Sequence, residues 1–358
     1  MAYTTIDDPS AHHQTDLFTG DGSGQSLTFD GNSDLQPDWI WGSLRDEDGG
    51  ARFMFDSSRG ATKRVKTNLD TEEQTRSGVT TFDTDGYAMG SHTDSNKSSE
   101  PIVVWGWKAN GGTATATGSE SGDNPAYSAQ ANQTAGFSII TYTGTGAEGD
   151  VTHGLGGKPD WIITKNRDEG SDSNFVTWHK DMVDADADNG AYAYLNTTGQ
   201  DQATSVFYEG DAISSTVVAF KGGNQNTNKD SIKYVMYCFR SIQGYSKFGS
   251  YTGNGNADGP FVYTGFKPAW IMIKRVDAEN SWYILDSTRG STNPVSAELE
   301  ANTTGVEATS NVRLDILSNG FKIRTSGAAY NASGGTYIYM AFAEHPFVSS
   351  KGVPVTAR

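Results

Sequence analysis

Three short stretches decide how this chain reads: Pro37-Asp38-Trp39-Ile40, Pro159-Asp160-Trp161-Ile162 and Pro268-Ala269-Trp270-Ile271. Each follows a Gly-rich turn opened by an aromatic-Thr-Gly step, namely Phe18-Thr19-Gly20, Tyr142-Thr143-Gly144 and Tyr251-Thr252-Gly253. The gap from that Gly to the Pro is equal in the second and third copies and two residues longer in the first. A fixed pattern returning at domain-sized intervals marks an internal repeat.

Two further registrations extend the repeat. Each unit closes on an aromatic run with a small residue between large ones: Trp105-Gly106-Trp107, Tyr237-Cys238-Phe239 and Met340-Ala341-Phe342. Asn96, Asn228 and Asn331 precede these runs at one fixed distance. An Asn there suits a hairpin turn, since it tolerates a left-handed backbone and bonds its own loop. Units one and three also share an Asp-Ser-Ser/Thr-Arg-Gly loop, Asp56 to Gly60 and Asp286 to Gly290. Unit two carries Trp178-His179-Lys180 in that place.

The closing runs are apolar on both alternating faces. Successive strand residues point to opposite sides, so such a strand is covered twice. A two-sheet unit whose central strands also touch a neighbouring unit meets that demand. The 42 Gly and the many Ser, Thr and Asn favour short strands joined by turns. The expected fold is all-β: three tandem antiparallel β-sandwich repeats, jelly-roll-like, at residues 17–110, 134–242 and 243–348. Residues 1–16 read as an arm or an opening edge strand, 111–133 as a Gly/Ala/Thr/Ser-rich linker that leaves unit one freer, and 349–358 as a tail. Glu72-Glu73-Gln74 and Ala297-Glu298-Leu299-Glu300 have room for one or two helical turns at most.

The formal net charge is −16, which argues against nucleic-acid binding and against docking on anionic lipid, because both need a basic surface. A single cysteine, Cys238, allows no internal disulfide and no Cys-based metal cluster. The first residues lack the basic and apolar segments of a signal peptide, and no apolar run is long enough to span a membrane. The expectation is synthesis in a cytoplasm without membrane insertion.

Candidate chemistry is sparse. Asp184, Asp186 and Asp188 alternate in an acidic loop, and alternating carboxylates can converge on Ca²⁺. An EF-hand loop would need Gly and Glu where Asn189 and Leu195 stand, so the choice lies between a solvated loop and an irregular Ca²⁺ site. No other cofactor is expected. Trp178 and His179 break the repeat, and a position free of the repeat is free to serve a ligand: Trp178 as a sugar-stacking platform with His179 as its polar partner. The plainer alternative is a strand end with Trp178 half-buried. Asp56 with Arg59 and Asp286 with Arg289 recur at equal places and read as locally braced loops. Glu344-His345 pairs a carboxylate with an imidazole, but neighbours on a strand face opposite ways. No catalytic residue is assigned: the six His are scattered, and no nucleophile elbow, phosphate loop or dinucleotide fingerprint appears.

The stretches Tyr3-Thr4-Thr5-Ile6-Asp7-Asp8-Pro9-Ser10, Phe29 to Trp39, Gly244 to Gly255 and Gly334 to Glu344 together resemble a family of tandem-repeat proteins of marine bacteriophages and prophages, labelled tail-fibre or virion structural proteins. The resemblance covers nearly the whole chain, and no catalytic or ligand-binding residue comes with it. It implies a virion structural protein, tail-fibre-like, with a role in host attachment. A capsid decoration or head-fibre protein and a host-glycan-degrading or glycan-binding tail protein are the alternatives. The implied partners are other virion proteins, further copies of the chain in a trimer, and a host surface glycan; the implied location is the virion.

Overall fold

The computed structural model describes residues 2–182, 189–204 and 206–354. Among them the fold is all-β, with antiparallel pairing throughout and only two four-residue α-helices, Thr93–Asn96 and Ala328–Asn331. Three large sheets share one strand order at their centres. In the first, the opening strand His13–Thr19 pairs the closing strand Pro101–Trp107, which pairs Trp39–Leu44 and then Arg52–Asp56. The second repeats this with Phe137–Thr143, Lys233–Phe239, Trp161–Asn166 and Val176–His179. The third does so with Ser246–Thr252, Thr336–Pro346, Phe266–Arg275 and Trp282–Asp286. The register repeats as well: Trp39 faces Trp107, Trp161 faces Phe239, and Trp270 faces Phe342.

Each large sheet buries both faces. One covers a small sheet of two or three strands through a local apolar cluster, as where Ile40, Phe53 and Val104 meet Val79, Tyr87 and Met89. The other faces a common centre that draws on all three large sheets. Seven of the eight tryptophans lie in that centre, so most of the large aromatic area holds sheets to one another. Contacts across sheets include Trp39 stacked on Tyr237 at 4.9 Å and Trp107 edge-to-face with Trp270 at 5.4 Å. The indole N–H groups of Trp39, Trp41, Trp107, Trp161 and Trp270 find no hydrogen-bond partner among the described residues. Trp41, Trp107, Trp161 and Trp270 make edge-to-face ring contacts there, whereas the Trp39 ring lies stacked or tilted against its neighbours.

The two apolar residues of the opening motif serve different cores. Trp39, Trp161 and Trp270 point to the shared centre, while Ile40, Ile162 and Ile271 point to the local clusters. The closing runs divide in the same way, with Trp105, Tyr237 and Met340 toward the centre and Cys238 and Ala341 toward the local cores. Gly106 is small because a Cβ there would sit 2.7 Å from Phe29. The recurring Asn residues are buried clamps and take no left-handed backbone. Asn96 accepts from the N–H of Asp21, Asn228 from Thr145 and Asn331 from Asn254, each the residue after the aromatic-Thr-Gly step. A Cβ on Gly20, Gly144 or Gly253 would lie 2.1–2.3 Å from the carbonyl oxygen that follows or closes this clamp.

Two expectations are corrected. Residues 111–133 do not form a free linker: Ala126–Asn132 pairs with Phe137–Thr143 in the second large sheet, and Ala116–Gly118 pairs with it in turn as the edge strand. Their small side chains look loop-like, but backbone pairing carries such strands without large ones. The Glu72–Gln74 and Ala297–Glu300 segments hold short strands, Gln74–Thr75 and Leu299–Glu300, with no helical turn. The arm is also engaged: Thr4 Oγ1 donates to Gln243 O (2.8 Å), Tyr3 Oη donates to Gly265 O (2.7 Å), and Ile6 enters the shared centre.

Because the three sheets share one core, Trp161→Ala or Trp270→Ala is expected to cost about 3–5 kcal/mol. The loss should appear as a shift of a single urea transition. Three separable transitions, or a loss under about 1 kcal/mol, would contradict a shared centre.

Candidate functional site: the three junctions between sheets

Neighbouring large sheets meet in cyclic order, and each junction is braced at equivalent positions. A backbone N–H donates across every junction: Glu73 to Arg167 O (2.9 Å), Asp201 to Val276 O (2.9 Å) and Glu307 to Arg45 O (2.6 Å). A buried cation also reaches across each one. Lys165 Nζ donates to Asp70 O (3.2 Å), Lys274 Nζ donates to Thr198 O (3.0 Å), and Arg52 Nε donates to Glu300 O (2.9 Å). In the first sheet Ser43 stands at the lysine position, so the cation comes from its cross-strand neighbour Arg52. Burial pushes Lys165 down to about 7 and Lys274 to about 8. Depressed lysines can be nucleophiles, but both ammonium groups are closed in by backbone carbonyls and act as braces.

The Asp-x-x-Arg loops belong to the same system. Asp56 holds Arg59 and accepts from the Tyr237 hydroxyl of the second sheet (2.7 Å), while Arg59 reaches Glu73, which also pairs Arg167. Asp286 holds Arg289 and accepts from Trp105 Nε1 of the first sheet (3.0 Å), while Arg289 reaches Glu307, which also pairs Arg45. Against the upward pull of burial, these guanidinium groups hold Glu73 and Glu307 below the usual carboxylate range.

The junction between the second and third sheets lacks this network, and the substitutions match one another. Pairing with the motif Trp puts His179 in the place of Asp56 and Asp286. Three residues on, Met182 replaces Arg59 and Arg289. The neighbouring sheet offers Met340 where the others offer Tyr237 or Trp105, so no donor awaits a carboxylate. Val276 replaces Arg45 and Arg167, and Met182, Val276 and Met340 all belong to the apolar centre. Asp201 stands alone in the place of Glu73 and Glu307, and burial, then Asp277, raises its pKa. The carboxylate–arginine chain has given way to apolar contacts, while the Lys274 brace and Asp201 remain.

That places the expected ligand residues. His179 is fully buried against Trp161 and its Nε2 has no hydrogen-bond partner among the described residues. Burial, with Lys180 beside it, drives its pKa down to about 3. Trp178 is 1% exposed, packs in the second local cluster and donates through Nε1 to Asn189 O (2.6 Å). A stacking platform must offer a ring face to solvent, so the sugar-binding role for Trp178 and His179 is withdrawn. Asp184, Asp186 and Asp188 lie outside the described residues. Among the described residues no three His, Cys, Asp or Glu side chains gather closely enough for a metal. Glu344 and His345 approach to 3.9 Å, closer than strand alternation implies, but Lys267 Nζ occupies the same carboxylate oxygen at 2.6 Å.

The recesses beside these junctions were not legible in the sequence. Between the third and first sheets a cavity of about 310 Å³ is lined by Gln14, Asp30, Ser287, Thr288 and Glu344, with Nε2 of His13 and Oε2 of Glu344 finding no hydrogen-bond partner among the described residues. Gln14 spends its amide on Ser10 O, Ser33 O and the Gly31 N–H. Between the second and third sheets a cavity of about 420 Å³ is lined by Lys180, Asp181, Lys247, Phe261, Tyr263 and Tyr339. Lys180 and Asp181 register with Ser287 and Thr288, and Lys247 with Gln14, so the two recesses are equivalents. The third counterpart is filled. Gln130, on the segment read as a linker, donates to the hydroxyls of Ser57 (2.8 Å) and Ser58 (2.6 Å), and its carbonyl accepts from the Asn110 N–H (3.1 Å).

Residues 8–346 match the family model of a domain of unknown function, DUF7483, and the chain belongs to that family. The match spans all three large sheets. No curated protein and no solved structure matches the chain.

Two outcomes test the junctions. His179→Asp buries a carboxylate with neither arginine nor donor and is expected to cost about 3 kcal/mol or more in urea unfolding; adding Met182→Arg recovers part of it. Stability should also fall on acidification before carboxylates titrate. His13 and His153 are held at about 4 and His179 at about 3 by burial, so below pH 6.5 the unfolded chain takes up protons first. Each contributes a slope approaching about 1.4 kcal/mol per pH unit down to its folded value. Flat stability from pH 7 to 5 would contradict the buried neutral imidazoles.

Proposed function

We propose that this protein is a bacteriophage virion structural protein, tail-fibre-like, that takes part in host attachment. The observation that carries the reading is cyclic closure: one chain brings three like sheets round a single aromatic core, as three chains do in a trimeric fibre. Its junction charges are spent on holding those sheets together. The strong negative charge suits a particle exterior kept apart from nucleic acid. The resemblance to phage repeat proteins points the same way.

In this proposal the chain is three jelly-roll-like β-sandwich units. The repeated strand order and register support that division, as does a separate local cluster under each large sheet. Further copies would cover an outer edge of a small sheet such as Val79–Asp83. The fibre-like reading is favoured over shell decoration because residues 3–6, on which an anchoring arm depends, are bound to the third unit.

Localisation by cryo-electron microscopy of particles from the encoding phage or prophage tests this. Density on the tail or its fibres is expected; absence from the particle overturns the reading, and density on the capsid replaces it with decoration. Native mass spectrometry tests the oligomer, since a stable 38.4 kDa monomer at micromolar concentration removes the trimer.

A further inference from the structure

We propose that the recess between the second and third sheets is a carbohydrate-binding site for one or two pyranose rings. At about 420 Å³ it falls within the ordinary range for small-ligand sites. Its equivalent at the first junction is filled by the chain's own Gln130, which satisfies two hydroxyl groups there. The recess at the second junction has no such filling, since the segment that supplies Gln130 occurs once in the chain.

The lining chemistry selects the ligand. Phe261 and Tyr263, 46% and 47% exposed, alternate with the buried Val262, so both rings emerge on one side of their strand. Large rings left in water at adjacent same-face positions suit the C–H face of a sugar. Around them stand groups of both hydrogen-bonding senses, Lys180 and Lys247 as donors and the Asp181 carboxylate as acceptor. A sugar hydroxyl both donates and accepts and so answers both, whereas an apolar partner would desolvate them without return. Tyr339 lines the floor and donates no hydrogen bond among the described residues. Gly249 leaves space for its hydroxyl, since a Cβ there would sit 2.9 Å away. Lys247 donates to Tyr263 O (2.6 Å) and lies over the Tyr263 ring at 5.3 Å, which fixes the platform. The site lies on the opposite side of the strand end from the buried His179 and uses neither it nor Trp178.

The inference gives the attachment reading a chemical class, and only its biological use rests on that reading. The test uses the full-length protein: a glycan array of hexose oligosaccharides, followed by saturation-transfer NMR with methyl glucoside and methyl galactoside. Binding is expected. Phe261→Ala and Asp181→Asn, both at exposed or half-exposed positions, should each weaken it about tenfold or more at unchanged Tm, and Asp30→Asn in the other recess should leave it intact. No saccharide binding, or binding that survives both substitutions in folded protein, overturns the site. Either result leaves the particle location untouched, just as absence from the particle leaves the binding measurement standing.

Discussion

The structure depends on one requirement, that each large sheet bury two faces instead of one. A small sheet covers the first face. The second is too aromatic to leave in water, with Trp39, Trp41, Trp105 and Trp107 on the first sheet alone. Three such faces can cover one another only by closing round a common centre. Burial of several large rings per sheet supplies a driving force that no single unit commands. The aromatic centre therefore makes a single body from three repeats. It also explains why the family match runs across all of them.

Closure in turn dictates the junction chemistry. Packing faces together brings backbone and side-chain polar groups out of water, and buried polar groups need partners. Two junctions answer with a chain of alternating charge, from Asp56 through Arg59 and Glu73 to Arg167, and from Asp286 through Arg289 and Glu307 to Arg45. The remaining junction keeps its lysine brace but drops the carboxylate–arginine chain, with a neutral His179 and the apolar Met182, Val276 and Met340 in its place. A carboxylate facing a thioether would pay its full desolvation without a donor to repay it. The departures from the repeat therefore belong together as one solution. The same junctions set the recesses, and Gln130 separates a filled one from the two open ones.

Much of this was legible in the residues themselves. The period-two alternation of the closing runs, apolar at every position, required cover on both faces and pointed to contact between units. The all-β class followed from composition and alternation, and the motif and closing strands and the equivalence of Asp56 with Asp286 followed from spacing. The break at Trp178-His179 was visible too, but its cause was not. That cause sits at Met340, more than a hundred residues away in sequence and opposite only after the ring closes. The segment 111–133 was misread for a related reason: a strand rich in Ala, Ser, Gln and Asn is held by backbone pairing, which leaves little apolar signature.

By itself the sequence determined the local events: where strands run, which side chains alternate, where glycine must admit a carbonyl and which loops repeat. Short-range sterics and the two-residue strand period suffice for those. Only the tertiary structure decided which face of each strand is the inner one. It sent the Trp of Pro-x-Trp-Ile to the shared centre and the Ile to the local core. It turned the recurring Asn into a clamp, buried the expected ligand residues Trp178 and His179, and left Phe261 and Tyr263 in the open. Burial is a property of what lies across the gap, and in this chain what lies across the gap is another repeat.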